Sequence, residues 1–315
     1  MSKVVTSDMA EDLLHRQLEN WNVASRNYAA LKDVREKTVI VDGIPFKVQF
    51  NPARITSTSA KIDAQSVAQR KCFLCQANRP LEQKWIDFNG NYQVLVNPFP
   101  IFPKHLTIPL LTHADQRIAA HFSDMLDLTI SLERFVVFYN GPRCGASAPD
   151  HLHFQAGNKG FLPIEESVKT LPHNIILKEQ ETQVYTFEND PRNPLIIETT
   201  NKKHALEFFE TIYNQLLPVP DEEPMMNIIT WMDAGRWIIC IFPRVKHRPS
   251  CYFADGEDNI MISPGAVDIG GMFITPLEKD FEKMDSTHIH DILTEVCIKS
   301  NDIKLLINGL NATCV

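Results

Sequence analysis

The sequence predicts an α+β fold of mostly antiparallel sheets with flanking helices, and two observations lead to this prediction. Short segments rich in β-branched and aromatic residues alternate with helical patterns, and tight turns such as Asp42-Gly43 and Asp233-Ala234-Gly235 join several of them. Such turns connect antiparallel neighbours, whereas a parallel sheet needs a long crossover between strands. This mixture of predicted strands and helices occurs twice along the chain. We therefore expect a duplicated arrangement with an N-terminal half at 1–170 and a C-terminal half at 171–315.

Composition narrows the class of protein. The 315 residues are 44% hydrophobic and 22% charged, which is typical of a globular protein and excludes collagen, a coiled coil or a mostly disordered chain. No uncharged apolar run approaches the roughly 18 to 20 residues that span a bilayer, and the first thirty residues lack the features of a signal peptide. We therefore expect a cytoplasmic protein without a membrane partner. The net charge of -8 also argues against nucleic acid as a partner.

The first elements follow from local periodicity. Apolar residues recur at roughly helical intervals within 8–31 and predict one amphipathic helix. Alternation within 38–50 predicts a hairpin, and the polar stretch 51–71 predicts a surface loop.

The middle of the chain is more regular. Thr112 and Asp115 have the spacing of a capping box, and the apolar residues behind them predict a helix over 113–133. The small-residue stretch 141–150 predicts a loop. Strands are predicted around it at 92–96, 105–110, 135–140 and 151–155.

The second half repeats this mixture of elements. Strands are predicted at 184–188, 195–199, 226–232 and 236–244, helices at 202–217, 276–284 and 287–300, and a surface loop at 218–224.

The pattern His-x-His-x-Gln at 151–155 is the strongest chemical signal. In a strand the period of two places His151, His153 and Gln155 on one face, while Leu152 and Phe154 point into the core. The loop before them is rich in small residues, so its backbone N–H groups can approach phosphate oxygens closely. A phosphate cradle beside a nucleophile is therefore expected.

A metal site is also predicted. Cys72 and Cys75 have the C-x-x-C spacing, and two thiolates with the imidazoles of His113 and His151 would complete a tetrahedral zinc site. The predicted helix start near His113 would favour its neutral, metal-ligating form. Two buried free cysteines with unrelated histidines are the alternative, and a redox role is disfavoured because no βαβ pattern surrounds the pair.

These motifs resemble those of a known superfamily. The run NPFPIFPKHLTIPLLTH, followed by NGPRCGAS and HLHFQ, is similar to the histidine-triad (HIT-like) superfamily in its transferase branch, where glutamine replaces the third histidine. That branch includes galactose-1-phosphate uridylyltransferase, diadenosine tetraphosphate phosphorylase and the GDP-hexose (GDP-L-galactose and GDP-glucose) phosphorylases. The resemblance is specific over about 72–157.

The resemblance implies roles for individual residues. His153 would be the nucleophile that forms a covalent nucleotidyl-histidine, and Gln155 would hydrogen-bond the phosphoryl oxygen. Gly145 and Ser147 would hold phosphate oxygens. The zinc ligands would be Cys72, Cys75, His113 and His151.

Charged residues and a second His-x-His pattern complete the candidates. Arg143 lies in the small-residue loop and is a candidate for stabilising phosphate charge. Weaker candidates for that role are Arg54, Lys104 and Arg244. His288 and His290 repeat the spacing within a predicted helix, where residues i and i+2 do not face each other, so no second catalytic centre is expected.

Together these features predict a nucleotidyltransferase of the phosphorylase type. A nucleoside diphosphate sugar, favoured as a GDP-hexose, would be cleaved at its α-phosphate, and inorganic phosphate or a sugar phosphate would accept the nucleotidyl group. The alternatives are a dinucleoside polyphosphate phosphorylase of the ATP adenylyltransferase type and a hexose-1-phosphate uridylyltransferase. A non-catalytic, zinc-stabilised nucleotide-binding module is the alternative of another class. A homodimer is among the assemblies that the sequence allows.

Overall fold

Two β-sheets organise the chain in a computed structural model that describes residues 5–55, 64–217 and 222–313. The larger sheet has ten strands in the order β3-β4-β5-β7-β6-β11-β12-β10-β9-β8, and every neighbouring pair in it is antiparallel. The smaller sheet has the order β1-β2-β13. The predicted α+β class with mostly antiparallel sheets is confirmed. The strands are β1 Arg35–Val41, β2 Ile44–Phe50, β3 Trp85–Phe88, β4 Tyr92–Val96, β5 His105–Pro109, β6 Phe135–Asn140, β7 His153–Asn158, β8 His173–Glu179, β9 Thr182–Phe187, β10 Leu195–Thr199, β11 Met226–Asp233, β12 Arg236–Pro243 and β13 Met272–Thr275.

The large sheet consists of two units with the same topology. Strands β3, β4 and β5, the helix Phe122–Ser131 and strands β6 and β7 form the first unit, in the order β3-β4-β5-β7-β6. Strands β8, β9 and β10, the helix Lys202–Leu216 and strands β11 and β12 form the second, in the order β8-β9-β10-β12-β11. The units meet where β6 pairs with β11. This repeat agrees with the predicted duplicated arrangement.

Each face of the large sheet is covered by a hydrophobic layer. On one face, the helices Phe122–Ser131 and Lys202–Leu216 pack against side chains such as Phe154 and Ile239. On the other face, β2, β13 and the helix Ser286–Val296 contribute to a second core with Phe138, Ile229 and Cys240. The remaining helices are Ser7–Asn20, Asn22–Ala29, Ala64–Gln69, Pro163–Thr170, Ala266–Ile269, Glu278–Lys283 and Ser300–Thr313. In the described residues, no helix is long and apolar enough to cross a membrane.

Several predicted elements are correct. The 38–50 hairpin forms, and its turn residues Asp42 and Gly43 both have positive φ (51° and 84°), as a tight two-residue hairpin turn requires. The hairpin between β11 and β12 also forms, with Ala234 and Gly235 at positive φ. Both turns fix an antiparallel register that continues along the full length of the paired strands.

Two helix predictions in the first half are corrected. The helix predicted over 8–31 is two helices, because the chain is extended at Trp21 (φ -130°, ψ 97°) and buries that indole in a small cluster. The helix predicted over 113–133 begins only at Phe122, so Thr112 and Asp115 form no capping box. The backbone there bonds to the loop before β7 instead, since Ala114 O accepts from Leu152 N and Gln116 N donates to Pro149 O.

Other differences concern loops and unpredicted elements. Part of the predicted loop 51–71 is helical at Ala64–Gln69, and residues 56–63 of it lie outside the described residues, as do 218–221 of the loop 218–224. The helix predicted over 287–300 ends at Val296. The sequence did not predict strands β3, β8 and β13 or the helix Pro163–Thr170, because these segments are short or only partly apolar.

Candidate active site

A cavity of about 890 Å³ lies against one face of the large sheet, next to β7. Residues from both halves of the chain line it. His153 and Gln155 of β7 form part of its wall, together with Asn140 at the end of β6. The second half contributes His247 and Arg248, along with the segment around Ala266. The C-terminal half therefore contributes part of the wall around the strand that bears the predicted nucleophile.

The imidazole of His153 is held in a defined orientation. Its Nδ1 lies 2.8 Å from the carbonyl oxygen of His151, so Nδ1–H donates and Nε2 is the unprotonated nitrogen. The side chain is buried, and burial lowers the pKa of His153 to about 4. A neutral imidazole with one bonded and one available nitrogen has the form that a nucleophile requires.

Gln116 fixes the backbone of the same residue. Its Oε1 accepts from His153 N at 2.8 Å, and its Nε2 donates to His153 O at 3.0 Å and to Asn140 O at 2.9 Å. The amide thus inserts between the ends of β6 and β7 and satisfies backbone groups there. The sequence did not predict this role of Gln116, because the residue falls within a predicted helix.

Gln155 lies two residues further along β7, on the same face as His153. Its Oε1 is 3.1 Å from Nε2 of His105, a fully buried residue of β5. Leu152 and Phe154 point to the opposite core, as the period-two pattern predicts. His151 departs from that pattern because the strand begins only at His153, and its side chain turns toward the cysteines.

The four predicted zinc ligands come together beside the cavity. Cys72 Sγ is 3.2 Å from His151 Nδ1, Cys75 Sγ is 3.2 Å from His113 Nδ1, and all four ligand atoms lie within 4.8 Å of one another. Ligands of a tetrahedral zinc ion, with bonds of about 2.0 to 2.3 Å, are separated by about 3.3 to 3.8 Å. The group therefore has the donors and the spacing to hold a metal ion.

Neighbouring polar groups orient this cluster. His151 Nε2 donates to the carbonyl of Leu110 at 2.8 Å, which leaves Nδ1 available as a ligand atom. Burial raises the pKa of Cys72, but the adjacent His151 ring and the backbone N–H groups of Leu74 and Cys75 outweigh burial and lower that pKa to about 6. A thiolate is the form that binds metals. His113 does not lie at a helix start, so the predicted dipole effect on it is wrong.

The small-residue loop forms one wall of the cavity. Gly145 and Ser147 line it, whereas Arg143 lies outside the lining and pairs with Glu222 at 3.3 Å. Gly145 has φ +93°, and a Cβ there would lie 2.6 Å from the Cα of Gly265. Glycine at 145 therefore allows the loops of the two halves to touch backbone to backbone.

The three weaker cationic candidates occupy different environments. Arg54 lines the cavity, and its Nη1 donates to Phe99 O. Lys104 lies outside the lining and pairs with Glu11 at 2.8 Å. Arg244 is buried, and its Nε and both Nη atoms donate to Asn227 Oδ1 and to four backbone carbonyls. These bonds use all five of its N–H groups, so Arg244 shapes the cavity wall and has none left for phosphate.

Comparisons with known proteins identify a matching family model and relatives of this chain. The family model described as "Domain of unknown function (DUF4922)" matches residues 13–158. Diadenosine 5',5'''-P1,P4-tetraphosphate phosphorylase 2 of Saccharomyces cerevisiae is 28% identical over 319 residues, which cover 88% of this chain and 91% of the yeast protein. Protein APA1 of the same yeast is 25% identical over 240 residues, covering 66% and 69% of the two chains.

A solved structure gives the corresponding match in three dimensions. The crystal structure of yeast Ap4A phosphorylase Apa2 in complex with Ap4A superposes with a TM-score of 0.56 at 16% identity, over 89% of this chain and 97% of that one. This chain has the fold of the yeast Ap4A phosphorylase. The resemblance to diadenosine tetraphosphate phosphorylases is therefore confirmed, and these relatives agree with the prediction of a phosphorylase-type enzyme. They support the dinucleotide alternative and give no support to a GDP-hexose substrate.

The cavity also contains basic side chains that the sequence did not predict. Arg70 and Arg248 line it, as does His247. Arg70 pairs with Asp150 at 2.9 Å, and the Arg248 guanidinium lies 4.2 Å from the ring centre of Tyr252. Isolated arginines in loops carry no sequence signal, so only the folded chain identifies them as cavity residues.

Proposed function

We propose that this protein is a nucleotidyltransferase that cleaves a dinucleoside polyphosphate with inorganic phosphate, through a nucleotidyl group on His153. The observation that carries the proposal is the placement of His153 in the cavity with Nδ1 bound to a carbonyl and Nε2 available. The similarity to yeast diadenosine tetraphosphate phosphorylase 2, which extends over 91% of that protein, supports the choice of substrate.

In the first step Nε2 of His153 attacks the α-phosphorus of one nucleoside. An N–P bond forms, the bond from that phosphorus to its bridging oxygen breaks, and the oxygen leaves with the remaining phosphates and the second nucleoside. With diadenosine tetraphosphate the leaving group is ATP. Positioning by Gln116 and the His151 carbonyl lets the imidazole attack without a separate general base.

Gln155 suits this leaving group. A phosphate leaving group is a stable anion and needs no proton, so a neutral amide can replace an acidic histidine. Its role is to donate a hydrogen bond to a non-bridging oxygen of the phosphoryl group, where negative charge must be stabilised.

In the second step inorganic phosphate attacks the nucleotidyl-histidine. A new P–O bond forms, the N–P bond breaks, and His153 recovers its free Nε2 while a nucleoside diphosphate is released. The complete reaction converts diadenosine tetraphosphate and phosphate into ATP and ADP.

The charge of the cavity suits several phosphates in a row. Its lining includes three arginines, Arg54, Arg70 and Arg248, and two carboxylates, Glu82 and Asp268. The buried Nη1 of Arg70 has no hydrogen-bond acceptor among the described residues, so a phosphate oxygen would satisfy it. Gly145 and Ser147 offer backbone and hydroxyl groups on the same wall, and Arg143 stays a candidate for a rim contact.

We assign the Cys72, Cys75, His113 and His151 group to a structural zinc ion. A closed set of two thiolates and two imidazoles has no ligand position left for substrate, which is typical of structural zinc. When bound, the ion would hold the segment with the two cysteines against the loop before β7. It would thereby keep His151 in place, whose carbonyl binds Nδ1 of His153.

The test is a panel of labelled substrates with and without inorganic phosphate. Diadenosine tetraphosphate, GDP-hexoses, UDP-hexoses and ADP-hexoses are each incubated with the metal-loaded protein, followed by mass spectrometry of the quenched protein and nucleotide analysis. The expected result is an AMP adduct on His153 and phosphate-dependent formation of ATP and ADP.

Other outcomes would reject the proposal in specific ways. Phosphate-dependent release of hexose 1-phosphate from a GDP-hexose would favour the substrate class first expected from the sequence. Nucleotide binding without any adduct or turnover would favour a non-catalytic binding module. The cytoplasmic location and a homodimer stay predictions.

A further inference from the structure

The orientation of the Gln155 amide decides what that residue can bind. Its oxygen accepts hydrogen bonds and its NH2 group donates them, so the amide can stabilise a phosphoryl oxygen only if NH2 faces the cavity. Oxygen and nitrogen have nearly the same shape, so the choice between the two orientations depends on a neighbouring group of fixed polarity.

A backbone N–H group provides that fixed polarity through His105. Ile101 N lies 3.1 Å from Nδ1 of His105, and a backbone N–H can only donate, so Nδ1 is the acceptor. The proton of the neutral ring is therefore on Nε2, which lies 3.1 Å from Gln155 Oε1 and donates to it. In the flipped orientation two donors would face each other, so the NH2 group of Gln155 is left for the cavity.

The ring of His105 has little freedom to move. The ring centres of Phe102 and Phe138 lie 5.2 Å and 6.1 Å from the centre of the His105 ring. Phe102 is itself packed tightly against Gly157, where a Cβ would come within 2.2 Å of the Phe102 ring. The hydroxyl of Tyr28 bonds the backbone of the same residue, since it donates to His105 O at 2.9 Å. Burial lowers the pKa of His105 to about 3, so the ring stays neutral.

We propose that His105 is a positioning residue that fixes the Gln155 amide with its NH2 group toward the phosphoryl group undergoing transfer. His105 does not line the cavity and acts only through Gln155. The assignment rests on the proposed function, because it specifies what the neutral glutamine presents to the substrate.

A double-mutant cycle tests this dependence. The variant His105→Asn retains an acceptor near the Nδ1 position for Ile101 N and loses the donor to Gln155, whereas His105→Gln can retain the donor. We expect His105→Asn to slow formation of the nucleotidyl adduct about tenfold in wild-type protein and to have no further effect in Gln155→Ala protein. His105→Gln should recover part of the lost rate.

The outcomes separate a positioning role from a structural one. An equal loss from His105→Asn in both backgrounds would overturn the inference, since a merely structural histidine would weaken the site regardless of Gln155. If wild-type protein forms no adduct, the proposed function fails and the role in transfer fails with it. If wild-type protein forms the adduct but the losses are additive, only the inference about His105 fails.

A second measurement needs no turnover. Two-bond ¹H–¹⁵N spectra of histidine-labelled wild-type protein report which ring nitrogen of His105 carries the proton, with its signals assigned from nuclear Overhauser contacts to the adjacent Phe102 ring. A neutral Nε2–H ring is expected near neutral pH. A ring protonated on Nδ1, or on both nitrogens, would contradict the inference even if the variants fail to fold.

Discussion

The two five-stranded units share one topology but differ in what their equivalent strands carry. In the row of side chains across the middle of the large sheet, Gln155 pairs with Phe138, Phe138 with Ile229, and Ile229 with Cys240. Gln155 and Cys240 therefore lie at matching distances from the junction. Two residues before each of them stand His153 in β7 and Ile238 in β12.

The difference lies in what covers the same face of the sheet. Ile238, Cys240 and Phe242 of β12 pack into a core that includes Phe46 and Val48 of the small sheet. His153 and Gln155 instead face a cavity. One unit thus supplies apolar burial that stabilises the fold, and the other presents polar groups to the cavity. The two units therefore share a topology, but only one of them places polar side chains at these equivalent positions.

The largest effect is expected for replacement of His153, and replacement of Ile238 at the equivalent position of β12 is the comparison. His153→Ala should abolish the nucleotidyl adduct and reduce turnover by about 10⁴-fold or more, because the nucleophile itself is removed. The matched control is Ile238→Val in β12, which should cost about 0.5 to 1.5 kcal/mol in unfolding free energy and leave turnover unchanged. An adduct that persists in His153→Ala, detected by mass spectrometry, would identify another nucleophile.

The second largest effect is expected for loss of the proposed metal, because the cluster holds the segment with the two cysteines against the loop before β7. Cys72→Ser should remove the zinc, lower the unfolding free energy by roughly 4 kcal/mol or more, and reduce turnover since the His151 carbonyl is released. Cys251→Ser, outside the cluster, should retain about one zinc per chain. Metal analysis and thermal unfolding measure both effects. Wild-type protein that contains no zinc after purification without chelator would contradict the assignment.

Gln155→Ala should have a smaller effect than loss of the nucleophile. Removal of one donor to a developing oxyanion typically costs about 10²- to 10³-fold in rate, so some transfer should remain. Single-turnover measurement of adduct formation separates this loss from substrate binding. Complete loss of the adduct, equal to that in His153→Ala, would mean that Gln155 has more than a stabilising role.

The pH dependence of stability should also differ between the units. His105 of β5 has a folded pKa of about 3 against about 6.5 in an unfolded chain, while β10, the equivalent strand, contains no histidine. Between these values the unfolded state binds more protons, so this contribution to stability is fully present above pH 6.5 and is lost as the pH falls toward 3. Wild-type unfolding free energy should thus change by up to about 1.4 kcal/mol per pH unit more than that of His105→Asn. The unfolding free energies of both proteins are measured by urea unfolding at pH 5 and pH 6. An equal change between these two pH values in wild-type and His105→Asn protein would refute this prediction.

The smallest effect is expected at the second His-x-His pattern. His288 and His290 lie on the helix Ser286–Val296 and pair with Asp285 and Asp42 at the surface, away from the cavity. His288→Ala and His290→Ala should each change unfolding free energy by less than about 1 kcal/mol and leave turnover unchanged. If either folded variant lost activity, the assignment of a single catalytic unit would be wrong.

Features that depend on local geometry could be predicted from the sequence. The Asp42-Gly43 turn needs only residues that tolerate positive φ, and the orientation of His153 and Gln155 follows from the period of a strand. The C-x-x-C spacing likewise predicted that Cys72 and Cys75 belong to a group of side chains that could hold a metal ion. In each case the decisive residues are close together in the chain.

Features that depend on distant contacts could not be predicted in this way. The apparent capping box at Thr112 has the correct local spacing, but Gln116 forms its hydrogen bonds with strands far away in sequence. The contributions of His247 and Arg248 to the cavity depend on how the second half folds over the first. The break at Trp21 arises because a tertiary cluster outweighs helix propensity.

The small sheet has a consequence for how the enzyme is made. Strand β2 pairs in parallel with β13, and the hydroxyl of Thr275 bonds the carbonyl of Gln49, 226 residues earlier in the chain. During synthesis the first unit can emerge from the ribosome and begin to fold, but β2 gains its parallel partner only after β13 has been synthesised. The segment just before β13 forms part of the cavity wall, so the site around His153 stays incomplete until that segment has been synthesised.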